Sequence, residues 1–597
     1  MGSVKACARR RTTRLTFLPL LTLSTLLAFA AADAAHAQVS SATGPTRDDL
    51  DPVPEQKEAP RSRLSVEGEI ERAPCALEDP SYAGINVDLK TVTFNNLGPV
   101  AAEQLAESYS GLLGEQPVSA ICRIRDAAAT KLRALGYIAA VQVPAQRIEN
   151  NHVTFEILYA KVTSVRLIGT AGQNERLIES YLSKLVDGKV FNRFEAERHL
   201  LLARDIPGYT VRLALKPAGT GAGNMIAEIA LTRTPYTVDV SAQNYGDPNT
   251  GRIGGQVRAI FNGVTGMGDR TTLGFYATGD FEEQRIFQFG HEMLLGDNGL
   301  KLGVRATYAL TRPDLGAAVA DVRARTFYAN FEASYPLIRR QALTLRAAAG
   351  FDLVNQKVDF AGAPLSEDRL RVGYARLDLD AIDLQGVGPG GSVGWRAGGS
   401  FELRKGFKGL GASPNCLSAA APCLVAGFVA PSLPDGNPGA TVIRAIVNMD
   451  VRMFEGVTFG FSPRAQISSS GLFSFEQFST GNYTIGRGYG PGAIVGDKGA
   501  GFQGELRFDA FRLKSGSRVD FAPYVFSDNA LIWDRAAVSR PQKLNSAGGG
   551  VRIGFAGRAR LDLTAAFPLT VLPGEISKRS PRFLASFSMN ILPWSNR

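Results

Sequence analysis

Residues 476–508, EQFSTGNYTIGRGYGPGAIVGDKGAGFQGELRF, set one cation, Arg487, among Gly486, Gly488, Gly490 and Gly492. Glycines at this density let a backbone fold tightly and approach another surface closely. A guanidinium fixed in such a loop is suited to a forked pair of hydrogen bonds to a carboxylate. The chemistry on offer is docking. Two patterns that would signal catalysis or nucleotide binding are incomplete. Gly390, Ser392 and Gly394 fit GxSxG, but they sit in a glycine-proline turn ahead of a strand, where a hydrolase needs a helix to follow. The glycines around Arg487 lack the GxxxxGK[ST] pattern and precede a strand, whereas a phosphate site needs a helix N-terminus. No enzyme activity and no cofactor are expected.

The cysteines point to an oxidising compartment. Lys5, Arg9, Arg10, Arg11 and Arg14 precede an apolar run over residues 15–32 and then Ala35-His36-Ala37, the plan of a cleavable secretory signal over residues 1–37. Cys7 leaves with it. Cys75, Cys122, Cys416 and Cys423 remain as an even set of disulfide candidates. The close pair Cys416 and Cys423 reads as a loop staple; Cys75 and Cys122 would then tie the start of the first folded module to its second helix. Metal binding is the weaker reading, because no CxxC occurs and His152, His199 and His291 are scattered. The formal charge of +10, less the net +4 carried by the signal's five basic residues and Asp33, leaves about +6. Without a basic stripe, that balance argues against nucleic acid as a partner.

A chain of 597 residues requires more than one domain. Residues 38–80 are rich in proline and charge and read as a linker with at most a short helix. Residues 81–160 then follow the order strand, helix, helix, strand, strand, and residues 161–235 repeat it. Small mixed sheets of this kind leave an edge strand free to accept an extended partner. From residue 236 onward alternation with period two takes over. Leu302, Val304, Ala306, Tyr308 and Leu310 alternate with Lys301, Gly303, Arg305, Thr307 and Ala309. About sixteen such segments, each near the ten residues a tilted membrane strand needs, predict an antiparallel transmembrane β-barrel with lipid outside and a polar lumen. The final segment, PRFLASFSMNIL, places Phe583, Phe587, Met589 and Ile591 on one side and leads to Trp594, suited to a membrane interface. With the modules in the periplasm, the loop of Cys416 and Cys423 follows the ninth strand and is external. The Arg487 loop follows the eleventh; it starts externally, with room to fold inward.

At this point the chain resembles the outer-membrane transporters of two-partner secretion, within the superfamily that joins polypeptide-transport-associated (POTRA) modules to a sixteen-stranded barrel. EQFSTGNYTIGRGY followed by GDKG and GELRF is similar to the family's sixth-loop signature, which ends in an arginine-glycine-aromatic tripeptide, here Arg487-Gly488-Tyr489. FAPYVFSDNALIWD is similar to its thirteenth-strand motif: Phe526 and Asp528 match, and Ala530 stands where the family usually has glycine. The resemblance implies a loop lock made by Arg487, Gly488 and Tyr489 with Phe526 and Asp528. Alternation supports it, since Asp528 shares the lumenal face with Asp520 and Arg518. The resemblance also implies a plug helix ahead of the first module, for which residues 38–74 offer only a proline-broken segment. It further implies an outer-membrane location in a Gram-negative bacterium, a monomer in lipid, and a secreted partner, a large β-helical adhesin or haemolysin-like exoprotein. A barrel-assembly factor of the same superfamily is the alternative; two modules, where that branch has three to five, favour secretion. A plain diffusion porin would give no reason for the modules or the arginine loop.

Overall fold

The computed structural model describes residues 45–50, 66–67, 74–186, 188–314, 321–383, 394–416, 423, 427–512, 517–534, 540–573 and 575–593. The signal segment, the GxSxG turn up to Val393 and Trp594 lie outside the described residues. Two small α/β modules precede a closed barrel of sixteen strands.

In the first module, β2 (Asn86–Leu89) pairs with β4 (Gly114–Pro117), and β3 (Thr91–Asn95), β6 (His152–Tyr159) and β5 (Ala139–Gln142) form a three-stranded sheet with β6 central. Helix α1 (Ala120–Ala134) buries Ile121, Ile124, Ala128 and Leu132, one stripe at helical spacing, against Phe94, Val153, Phe155 and Ile157. The expected first helix instead forms 3-10 turns, Ala102–Ser108 and Ser110–Leu112. Ser108 Oγ donates back to Leu105 O at 2.6 Å and Gly111 follows, so the segment closes in tight i to i+3 turns. A disulfide joins Cys75 to Cys122.

The second module holds β7 (Lys161–Ile168), α2 (Glu175–Leu182), α3 (Arg193–Arg204), β8 (Tyr209–Pro217) and β9 (Asn224–Arg233), the expected order. Its sheet has a fourth member that sequence reasoning placed in unstructured linker: β1 (Val66–Glu67) lies parallel to β8, Val66 opposite Leu213 and Glu67 opposite Ala214. Period-two patterns cannot register in two residues, so this strand has no signal of its own.

The barrel begins at Tyr236–Gln243 and closes when that strand pairs antiparallel with the last, Arg582–Leu592, Ser241 opposite Ser588. Phe287, Phe289, Tyr308, Phe331, Phe401 and Val525 are exposed on the outside, while their alternating neighbours Ile286, Gln288, Ala309, Asn330, Glu402 and Asp528 turn inward. This is the face reversal that a barrel in lipid requires. The sixth to eighth strands, Val322–Arg339, Leu343–Phe360 and Ala363–Ile382, run for 18, 18 and 20 residues. At ~3.3 Å per residue the longest spans about 65 Å, so this side of the barrel projects well past the hydrocarbon. The second disulfide, Cys416 to Cys423, staples the long loop after the ninth strand, Trp395–Gly406.

Polar contacts seat the second module on the barrel's near-side turns. Arg339, 1% exposed, donates Nε and Nη2 to Asp205 at 2.6 and 2.7 Å. Lys184 Nζ lies 2.9 Å from Asp297, and the buried Asn174 accepts from Gly268 N at 2.9 Å. Asp269 fixes that turn by accepting from Thr265 Oγ1 (2.6 Å), Thr265 N (2.8 Å) and Val264 N (3.0 Å). Burial alone would raise its pKa; these donors outweigh burial and hold it below the usual carboxylate range.

Three outcomes follow. Arg339→Ala removes two charged hydrogen bonds, a loss of about 2 kcal/mol. Amide exchange at Gly268, which reports opening of the joint, should accelerate by roughly thirtyfold while the barrel strands stay protected. Cys75→Ser with Cys122→Ser opens a loop of 47 residues; first-module stability should fall by about 4 kcal/mol, read by denaturant titration. The corresponding Cys416 and Cys423 double serine variant should leave the barrel's heat-modifiable gel mobility unchanged.

Candidate functional site

The loop after the eleventh strand, Val457–Ser468, turns back into the barrel. Ser474–Glu476 forms a 3-10 turn, and Phe478–Ser479 pairs antiparallel with Val495–Gly496 to make a short hairpin. Residues 480–494 form its tip, pinned across the base by Thr480 N to Ile494 O at 3.0 Å. Nearly every residue from Leu472 to Gly490 is buried, although no strand of the barrel wall passes through the segment. The loop therefore fills lumen.

At the tip Arg487 reaches the thirteenth strand, Val519–Trp533. Its Nη2 donates to Asp528 Oδ1 at 2.8 Å and its Nε to Oδ2 at 3.1 Å, a forked pair, and its backbone N adds a third bond to Oδ2 at 2.8 Å. Asp528 is 0% exposed and also accepts from Ser546 Oγ at 3.3 Å. The guanidinium carbon lies 3.6 Å from the Phe526 ring centroid, so the cation is stacked as well as paired. Nη1 donates to Glu505 Oε2 at 2.8 Å, and Glu505 is shared with Arg552 and Arg507. Arg552 passes the chain on to Asp562 at 3.1 Å. The structure thus brings together Arg487, Asp528 and Phe526, and adds Glu505, Arg552 and Asp562 from the twelfth, fourteenth and fifteenth strands.

The residues beside Arg487 explain why the loop is glycine-rich there. A Cβ at Gly488 would sit 2.9 Å from Ser546 Cβ and 3.0 Å from Pro568 N. Gly486 has φ of +117°, and a Cβ there would fall 2.4 Å from Leu544. Tyr489 is fully buried; its hydroxyl donates to Thr570 O at 2.7 Å and accepts from Thr570 N at 2.9 Å. Ala530, at the position where glycine is usual, is covered by the loop in an apolar cluster with Ile485, Tyr489, Ile532 and Leu544. One methyl group is accommodated without keeping the tip away.

A second charged cluster holds the root of the loop. Arg404, 0% exposed, donates to Glu476 (3.0 and 2.8 Å), to Asp352 (2.6 Å) and to Glu402 (2.9 Å). Arg444 adds a bond to Glu476 at 3.1 Å. Sequence reasoning missed these residues; Glu402 and Arg404, two apart in one strand, share a face, but nothing local links them to Glu476. Residues 45–50 lie against this cluster inside the barrel. Arg47 is 3.9 Å from Asp352 and 3.7 Å from Glu402, Asp48 is 3.2 Å from Arg464, and Gln356 and Gln288 donate to Pro45 O and Leu50 O at 2.9 and 3.1 Å. Leu50 packs with Tyr276, Val354, Phe473 and Phe475. Within residues 38–74, too proline-broken to suggest a plug, the described residues inside the barrel include a 3-10 turn, Asp48–Leu50.

The geometry has counterparts among known proteins. Among solved structures, CdiB from Escherichia coli superposes with a TM-score of 0.66 at 16% identity, over 88% of this chain and 94% of that one. CdiB from Acinetobacter baumannii gives 0.57 at 15% identity, over 88% and 94%. At these identities the likeness concerns the fold. No curated protein matches the sequence significantly. The model of the family described as haemolysin secretion/activation protein ShlB/FhaC/HecB matches residues 230–553, more than half of the chain, including the Arg487 loop, the twelfth and thirteenth strands and Arg552 of the fourteenth. The chain therefore belongs to the ShlB/FhaC/HecB family, outer-membrane β-barrel transporters that secrete a partner exoprotein.

Proposed function

We propose that the barrel exports one unfolded protein, recognised in the periplasm by modules spanning residues 81–160 and 161–235 and passed outward through the lumen once the loop and the segment 45–50 give way. The cargo in this reading is a large β-helical adhesin or haemolysin-like protein, the transporter acts as a monomer in lipid, and folding of the cargo outside supplies direction. The observation that carries the reading is that both lumenal fillers are held by ion pairs, the loop by Arg487 to Asp528 and Glu476 to Arg404, and residues 45–50 by Asp48 to Arg464. An apolar plug would stay; a charged one can exchange its partners for water or for polar groups of a passing chain.

The test is Arg487→Ala and, separately, Asp528→Ala. The first leaves buried Asp528 without a charged partner, a cost of about 3–5 kcal/mol; the second costs less, because Arg487 keeps Glu505. Barrel insertion should be normal, and secretion of the partner exoprotein should fall by at least tenfold. Normal export by both variants at normal membrane levels would sink the lock. Depletion of the protein separates the two branches of the superfamily: loss of one secreted protein fits export, whereas a general fall in outer-membrane barrels fits an assembly factor.

A further inference from the structure

Where the second module meets the barrel there is a cavity of about 460 Å³, lined by Gly172 and Gln173 of the module, by Arg233 at the end of β9, and by Tyr236, Phe261 and Asn262 of the first two barrel strands, Tyr236–Gln243 and Gly254–Asn262. Two side-chain atoms of these lining residues are buried and, among the described residues, have no hydrogen-bond partner: Arg233 Nε, a donor, and Asn262 Oδ1, an acceptor. Asn262 is 6% exposed and donates Nδ2 to Thr234 O at 3.0 Å, which fixes the amide with Oδ1 left over. Arg233 donates Nη2 to Gly263 O at 3.5 Å, a long bond, and forms no ion pair with a described carboxylate. Its guanidinium runs over Gly172, where a Cβ would fall 2.5 Å from Nη1, so the missing side chain leaves the cation its place. An unmet buried donor and an unmet buried acceptor are each costly, and a cation more so. Side by side in one cavity, they call for a ligand that accepts from the first and donates to the second. The same cavity borders lipid. Tyr236 and Phe261 stand opposite each other and are exposed on the barrel's outer face, with Val238 opposite Ala259 next along that face. Val264, also exposed, carries the apolar surface into the following turn. Aromatic residues at the strand ends mark the edge of the hydrocarbon, which puts the cavity at the headgroup level of the leaflet facing the modules.

We propose that this cavity binds one glycerophospholipid of that leaflet. Its phosphate accepts from Arg233 Nε, an N–H or O–H of its headgroup donates to Asn262 Oδ1, and an acyl chain lies along Tyr236 and Phe261. A phospholipid is the occupant because the site joins an unpaired cation to apolar surface at the membrane edge, and few other molecules present a phosphate and a hydrocarbon chain together there. The need for a headgroup donor adds selectivity. Phosphatidylethanolamine carries N–H groups beside its phosphate, whereas phosphatidylcholine has the same charges and no N–H or O–H to give. The bound lipid touches module and barrel at once and so adds to the joint that Arg339 makes with Asp205.

The experiment titrates the purified full-length chain in detergent with phosphatidylethanolamine or with phosphatidylcholine of the same acyl chains, and counts bound lipid by native mass spectrometry. The parent should bind one phosphatidylethanolamine about tenfold more tightly than phosphatidylcholine, the difference expected when a buried acceptor is left unmet. Arg233→Met, which keeps the stem and removes the guanidinium, should weaken phosphatidylethanolamine by at least tenfold. Asn262→Ala should bind the two lipids equally, near the parent's affinity for phosphatidylcholine. Arg285→Met, which removes an exposed cation at the far end of the fourth strand, Gln284–Leu295, should leave the parent values unchanged. Unaltered heat-modifiable gel mobility shows that each variant keeps its barrel. Equal affinity of the parent for both lipids would overturn the proposal, and so would parent-like binding by Arg233→Met. Soluble glycerophosphoethanolamine binding as tightly as the lipid would overturn it too, by making the cavity a site for a small phosphoester. No transport is measured, so the result stands apart from the export reading.

Discussion

A backbone that crosses lipid must satisfy every N–H and C=O within the protein. The seam between Tyr236–Gln243 and Arg582–Leu592 meets that requirement by removing the last free sheet edge from the membrane. Its consequences run inward. Closing sixteen strands whose outer faces are apolar leaves an interior that is polar and too wide for strand side chains to fill. Material brought in from outside the wall fills part of it: the loop carrying Arg487 from one side and residues 45–50 from the periplasmic side. The modules obey the opposite rule. In water a sheet edge is tolerated.

Both fillers are fixed by arginine and carboxylate groups; those that hold the loop, Arg404, Glu476 and Asp528, have almost no exposure to solvent. Such pairs add little net stability, because desolvating the ions offsets most of their attraction, yet removing one partner is costly. They therefore act mainly as registers. Arg487 has three donors aimed at Asp528, one of them its own backbone N–H, and a ring beneath it, so that only one orientation of the loop tip meets all these contacts. Arg404 does the same for the loop's root by serving Glu476, Asp352 and Glu402 at once. Asp352 and Glu402 also lie beside Arg47, so the two fillers meet at a common set of charges.

What could be read from the residues depended on the range of the interaction. Alternation in segments of ten or so residues is a local property, and it led to the sixteen strands and to Asp528 on the lumenal face. Arg487 was legible because glycines at 486, 488 and 490 mark it out, and they do so for steric reasons now visible at Ser546, Leu544 and Asp247. Glu476 was not. It meets Arg404 across 72 positions of sequence and Arg444 across 32, and a glutamate at a loop's start looks like any solvated glutamate until the fold brings the arginines to it. The segment at 45–50 and strand β1 escaped for another reason. Three residues of 3-10 helix and two of strand are shorter than one period of the pattern that would reveal them, and proline and charge around them read as linker. The 3-10 turns at Ala102–Ser108 show the same limit, where helical composition was present but a hydroxyl bond and a nearby glycine tightened the winding.

The disulfide at Cys75 sets a geometric bound on the lumenal segment. It fixes the start of the first module to α1, so the covalent path from Leu50 to a firmly held point ends there. At ~3.3–3.6 Å per residue, residues 51–74 reach no farther than about 80–90 Å. A segment 45–50 that has left the barrel is thus confined to a volume equivalent to a concentration on the order of 1 mM near its own binding site. Re-closure is then a unimolecular event, independent of how many copies the membrane holds. Under the export proposed above, the pore closes behind each cargo with the same piece of chain that opened for it.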